Sequence, residues 1–298
     1  MPKTPATPNK AVRLEAFDIQ GHNGAEPFDY VAFFDFIAQQ DSKTRRETVA
    51  DRFIAVPNFT RYEGQYGFVA YAGSTDRSFL VLDLEEETEE VRQIERGKVI
   101  ATRTVGLIDP VARRVIVQYV HTGVRATQIA TLFEKLARIR SKEFEGATLE
   151  FAPTPGRTFR QELAAMNRIQ SASVTLTRPN IDWNDFSNAA NSLAEDTNAH
   201  NITVSAVAGR NQSLSKTKGL IHTITEVISQ VEDGAKSILK AVVIKGMRDN
   251  ESALTTLNLT KHIDARMVKV PLESDGLPNP GAVTEASLAF MNDPKEGS

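Results

Sequence analysis

The sequence predicts an α+β fold (mixed α/β), with two mixed-sheet regions on which amphipathic helices pack. Three observations carry this reading. Short alternating or continuous apolar runs recur along the chain, stretches of helical period interrupt them, and their order mixes hairpins with crossovers instead of repeating one βα unit.

Residues 11–20, AVRLEAFDIQ, place Val12, Leu14, Ala16 and Phe17 in a partly alternating apolar run, which is a strand. Pro27 opens a segment in which Phe28, Val31, Phe34 and Ile37 recur at helical spacing, so a helix covers 27–40. Strands follow at 52–57, 67–72 and 78–84, punctuated by Gly64, Gly67 and the turn at 73–76. Residues 85–95, EEETEEVRQIE, hold six carboxylates and read as a solvated acidic helix or connector. Strands at 99–107 and 115–121 flank a turn at Asp109 and Pro110, and a helix follows whose stripe is Ile129, Leu132, Phe133, Leu136 and Ile139.

A strand at 147–153 comes next, then a helix at 156–170 packed through Phe159, Leu163, Met166 and Ile169, then the alternating strand 171–178. Pro179, Asn180 and Asp182 form a turn that caps a helix over 183–197, with Trp183 and Phe186 as its packing anchor. The remainder reads as strand 201–208, helix 214–231, strands 237–245, 254–259 and 265–270, and helix 282–291. A length of 298 residues accommodates two domains. We expect them at 11–155 and 156–292, the break lying near 153–156 or at Pro179, between a flexible leader 1–10 and a fraying tail 293–298.

Absent residues narrow the chemistry. With no cysteine there is no disulfide, thiolate metal site, iron–sulfur cluster or cysteine nucleophile, which fits a reducing cytoplasm. No apolar window is long enough to span a bilayer, and the first ten residues contain no signal-peptide core, so a soluble cytoplasmic protein without membrane insertion is expected. The nucleophile elbow, the dinucleotide fingerprint, kinase signatures, HExxH and the calcium loop are all missing. We therefore expect no cofactor and no metal. The histidines are scattered, although His222 lies one helical turn from Glu226, and His262 lies two residues from Asp264.

Charge is distributed unevenly. Residues 1–95 carry 10 basic and 17 acidic side chains, residues 96–178 carry 14 and 6, and residues 179–298 carry 11 and 15, within a net charge of -3. Eleven of the 14 central basic residues are arginine, whose planar fork matches phosphate oxygens. Arg113, Arg114, Arg125, Lys135, Arg138, Arg140, Lys142, Arg157 and Arg160 are the candidate nucleic-acid-binding residues. The competing reading pairs this basic middle with the acidic N-terminal region, within one chain or between subunits, and the overall pI near 6 favours it.

A second candidate is 208–218, AGRNQSLSKTK, which follows a strand and opens a helix. Ser213, Ser215, Lys216 and Lys218 there form a candidate anion site, with a plain serine N-cap as the simpler account.

The strand, IDPVARR turn, strand, HTGV exit and amphipathic helix of 105–133, together with KAVVIKGMRD at 240–249, resemble uncharacterised bacterial accessory proteins encoded in phage-defence islands. The resemblance implies a setting in antiviral defence and no catalytic residue. The functional expectation is a non-catalytic cytoplasmic binding or interaction protein, oligomeric, whose central arginines meet DNA, RNA or a protein partner. The alternatives are a metal-dependent nuclease or other phosphodiester hydrolase without local motifs, and a purely structural assembly subunit.

Overall fold

The computed structural model describes residues 8–24, 27–49, 52–74, 78–83, 85, 88–177, 201–248 and 253–292. The helix expected at 183–197, with Trp183 and its cap, lies outside these residues, as do the first seven residues and the tail.

The fold is mixed α+β, and every ladder between its described strands is antiparallel. The larger sheet runs in the order β14 (Ala265–Pro271), β1 (Asn9–Asn23), β8 (Arg114–Tyr119), β7 (Ala101–Asp109), β4 (Gln65–Gly73), β3 (Arg52–Tyr62), β2 (Arg46–Val49). β9 (Ala147–Pro153) pairs with residues 17–23 of β1, while β14 pairs with residues 9–15, so one edge of β1 is shared by two strands laid end to end. They meet at Ala16, whose N–H donates to Asp264 O and whose carbonyl accepts from Thr154 N–H, and Asp264 N–H closes the junction on Thr154 O.

Helices α1 (Tyr30–Gln39) and α2 (Ala126–Arg140) cover one face of this sheet, and α5 (Pro280–Asn292) covers the other. β1 is therefore buried on both sides. Its residues Val12, Leu14 and Ala16 face the α5 core, and Phe17 and Ile19 face the α1/α2 core. Asp29 caps α1 by accepting from Ala32 N–H at 2.9 Å, and buried Arg45 donates to the carbonyls of Val56, Pro57 and the last turn of α1. The β3–β4 hairpin closes through Glu63 and Gly64, both at positive φ, as a two-residue turn of matching twist requires.

The second sheet, ordered β11 (Asn201–Val207), β10 (Met166–Thr177), β12 (Leu239–Arg248), β13 (Thr255–Asn258), packs α3 (Arg157–Ala165) and α4 (Leu220–Glu232) on one face. Its other face carries hydroxyl pairs, Ser173 with Ser205 and Thr175 with Thr203, each 3.0 Å apart. A third, two-stranded sheet pairs β5 (Ser78–Asp83) with β6 (Thr88–Gln93).

Four expectations change. The acidic segment expected as a helix or connector contains the exposed strand β6, because β5 offers it a full ladder. The helix expected at 156–170 ends at Ala165, so Met166 and Ile169 are strand residues. The helix expected from Leu214 starts at Leu220. Within 156–292, the segments β14 and α5 return to the first sheet instead of staying with the second.

Candidate functional site

Helix α2 buries Ile129, Leu132, Phe133 and Leu136 against the sheet, and its opposite face is polar. Thr127, Thr131, Lys135, Arg138 and Lys142 fall three or four residues apart and line that outer face, all exposed or half-buried. Arg138 makes a helical pair with Glu134 at 3.4 Å, and Arg140 stands exposed beside it. Ile139, expected in the buried stripe, is 76 % exposed. Four of the nine candidate basic residues, Lys135, Arg138, Arg140 and Lys142, thus share the C-terminal half of one helix and the turn after it.

The others divide. Half-buried Arg114 forms an ion pair with Asp264 at 3.0 Å and lies over the ring of Phe290, and Arg113 donates to Gln20 Oε1 at 3.0 Å and lies over Tyr30. These two are scaffold, because their guanidinium groups are spent inside the fold. Arg160 pairs with Glu232 across α3 and α4, and Arg157 is exposed at the start of α3. Arg125 sits at the N-cap of α2, exposed, with its side chain on His121 O at 2.9 Å.

The 208–218 loop does not form the expected helix entrance. Gly219, at positive φ, is the N-cap of α4, so neither Ser213 nor Ser215 caps it. Ser213 Oγ accepts from Ile169 N–H at 3.0 Å, Ser215 lies 3.3 Å from the Thr217 hydroxyl, and Lys216 Nζ donates to Ala164 O at 2.9 Å. Ser213 and Lys216 stitch the loop to β10 and α3, Ser215 stays within the loop, and Lys218 is exposed.

His222 meets Glu226 on the surface of α4 at 3.1 Å, and His262 contacts the Thr158 hydroxyl at 3.4 Å and the edge of Phe159. Among the described residues no three metal-ligating side chains gather at one point.

Two clusters escaped the sequence reading. The first is a buried seam between the sheets. Asp18 Oδ2 accepts from Ser237 N–H at 2.9 Å and from the Thr154 hydroxyl at 3.2 Å, Gln20 Nε2 donates to Ser237 O, and Lys240 pairs with Glu150 at 2.7 Å. Burial pushes the carboxyl of Asp18 up and the ammonium of Lys236, 3.8 Å away, down. The same cause raises Asp264 to about 6 against the pull of Arg114. The second cluster is arginine-rich. Arg13 of β1 lies directly across from Tyr119 of β8, and Arg125 and Arg13 both stand over the Tyr119 ring. No local spacing marks either cluster, since each joins residues about 100 or more positions apart.

A family described as Domain of unknown function (DUF4747) matches residues 10–235. The chain belongs to this family. The DUF4747 match runs from the start of β1 to the turn after α4, and so includes α2, Arg13, Tyr119 and the first half of the seam. Lys236, Ser237 and Asp264, which complete the seam, lie beyond it. No curated protein matches the chain, and no described helix is long and apolar enough to cross a membrane.

Proposed function

We propose that this DUF4747 protein is a non-catalytic interaction protein that binds a nucleic-acid polyanion through the exposed face of α2. One observation supports this most: Lys135, Arg138 and Arg140 stand in solvent on α2 with Lys142 in the turn after it, and the helix itself carries one carboxylate, Glu134, while Glu143 and Glu145 follow in the turn. Such a surface attracts phosphates with little sequence preference and releases counterions on binding. A salt titration of DNA and RNA binding tests it. Affinity should fall steeply as salt rises, and no binding of either polymer at low salt would remove the reading. A cytoplasmic role in antiviral defence, implied by the resemblance of 105–133 and 240–249, belongs to the same proposal.

A second reading, self-association, has an observation of its own. The β5–β6 ribbon packs chiefly on itself and exposes Leu80, Leu82 and Val91, with Glu89 and Glu90 beside them. An isolated two-stranded ribbon is marginal in water, and these apolar side chains favour a protein contact. The alternative of a metal-dependent hydrolase draws no comparable support, because the carboxylates that do converge, buried Asp18 and half-buried Asp264, are already held by Lys236, Ser237 and Arg114.

A further inference from the structure

The loop joining β8 to α2 gathers guanidinium groups from separate parts of the chain. His121, Thr122 and Gly123 present three consecutive carbonyls to guanidinium groups. Arg125 Nη2 donates to His121 O at 2.9 Å, and Arg52, from the start of β3, donates to Gly123 O at 3.1 Å and to Thr122 O. Carbonyls are neutral acceptors, so both guanidinium groups are oriented without losing their charge.

Arg13 joins them through Tyr119. The guanidinium carbons of Arg13 and Arg125 lie 5.6 and 4.9 Å from the centre of that ring. A ring holds a guanidinium by its face and leaves the N–H edge unspent. Among the described residues one carboxylate opposes the group: Glu15 pairs with Arg13 Nε at 3.1 Å and also acts on Arg125, but it is buried. Among the described residues, three cations therefore gather at this loop and one carboxylate is paired with them. Arg125 is exposed, the Arg13 side chain and Tyr119 are each 38 % exposed, and Arg52 is half-buried.

The geometry points to a phosphate-binding site at this loop, in which Arg13, Arg52 and Arg125 present N–H edges to phosphate oxygens and Tyr119 holds two of them in place. The ligand class is a phosphate group carrying two or more negative charges within reach, either successive phosphodiesters of a nucleic acid or a free polyphosphate. The excess of cations exceeds what one carboxylate ligand would balance, and planar forks suit phosphate oxygens. The site stands at the opposite end of α2 from Arg138 and Arg140, about 20 Å away at 1.5 Å per residue, so it is not the same surface. It rests on the polyanion reading only where the phosphate belongs to a polymer.

Calorimetry of the full chain with inorganic pyrophosphate, and fluorescence anisotropy with a single-stranded oligothymidine of about 20 nucleotides, test it together at low salt. Wild type should bind pyrophosphate, and Arg13→Gln/Arg125→Gln should weaken that binding by at least about tenfold, as expected for lost charge-assisted hydrogen bonds. Lys245→Gln, on the second sheet, should leave it unchanged. Since Arg125 also holds the loop, Arg13→Gln alone, which removes no loop contact, keeps the test decisive if the double variant does not fold. A reduced affinity in the single variant with an unchanged melting temperature is then required.

Pyrophosphate affinity that ignores Arg13 and Arg125, or no binding of either probe, overturns the site. Dependence on these arginines with pyrophosphate but no oligothymidine binding keeps the site and removes the nucleic-acid reading. Oligothymidine binding that falls only in Arg138→Ala/Arg140→Ala keeps that reading and, where pyrophosphate still depends on Arg13 and Arg125, restricts the site to free polyphosphate.

Discussion

Asp18 of β1 accepts the backbone N–H of Ser237 at 2.9 Å, and through this bond the first sheet grips the segment that leads into the second. The carboxylate is 3 % exposed, and the Thr154 hydroxyl and Lys236 converge on it as well. Residues 219 positions apart are thus joined by one buried acceptor.

Removing that acceptor should cost stability. Asp18→Ala leaves Ser237 N–H and the Thr154 hydroxyl unsatisfied and Lys236 without its counter-charge, and should lower the unfolding free energy by roughly 3 kcal/mol. Asp18→Asn retains an oxygen for Ser237 and should cost less. Urea unfolding of the three proteins measures the order, and equal stability of wild type and Asp18→Ala would mean that the seam contributes nothing net.

Asp264 predicts an unusual pH dependence. Burial holds its carboxyl at about 6 in the folded chain, above the ordinary value of 3.8, so between those limits the folded state binds a proton that the unfolded state has lost. Its contribution to stability is therefore fully present below pH 4, declines as pH rises to about 6, and is flat above that. Unfolding midpoints measured from pH 4 to 7 should fall more steeply in wild type than in Asp264→Asn. Parallel curves would show that Arg114 keeps Asp264 ionised throughout.

On α2, Arg138→Ala/Arg140→Ala should weaken DNA or RNA binding and flatten the dependence of log affinity on log salt by about two units, roughly one per lost phosphate contact. An unchanged slope measured by anisotropy would place the polymer elsewhere.

The ribbon yields a prediction about mass. Leu80 and Val91 are directly cross-strand partners on its surface, and both are exposed. If the ribbon joins two copies, Leu80→Ser/Val91→Ser should lower the mass seen in light scattering. If its carboxylates also meet the basic middle of a second copy, high salt should lower the mass too, because surface charges are screened beyond about 8 to 10 Å. A mass that moves with the substitutions and not with salt would mark an apolar contact, and one that moves with neither would leave the ribbon out of any assembly.

How much of this was legible varied with the physical origin of each feature. The stripe Ile129, Leu132, Phe133, Leu136 and the alternation of residues 171–177 declare α2 and most of β10 locally, because amphipathic period follows from one-sided burial. Met166 and Ile169 misled. Register shifts beside them in the β10–β12 ladder break the two-residue period, and the resulting three-residue spacing imitates a helix. Acidic β6 was hidden for another reason, since its residues favour solvent and only the ladder with β5 makes them a strand.

By itself, the sequence determined the fold class, most element positions, the concentration of arginine in the middle of the chain and the exposed basic residues of α2, all of which depend on composition and near-neighbour spacing. The tertiary structure alone decided that Arg113 and Arg114 are spent inside the fold, that Asp18 meets Ser237, and that Arg13 faces Tyr119 beside Arg125 and Arg52. Strand order and register make those meetings. They are set by how whole apolar faces pack, so no short stretch of the chain encodes them.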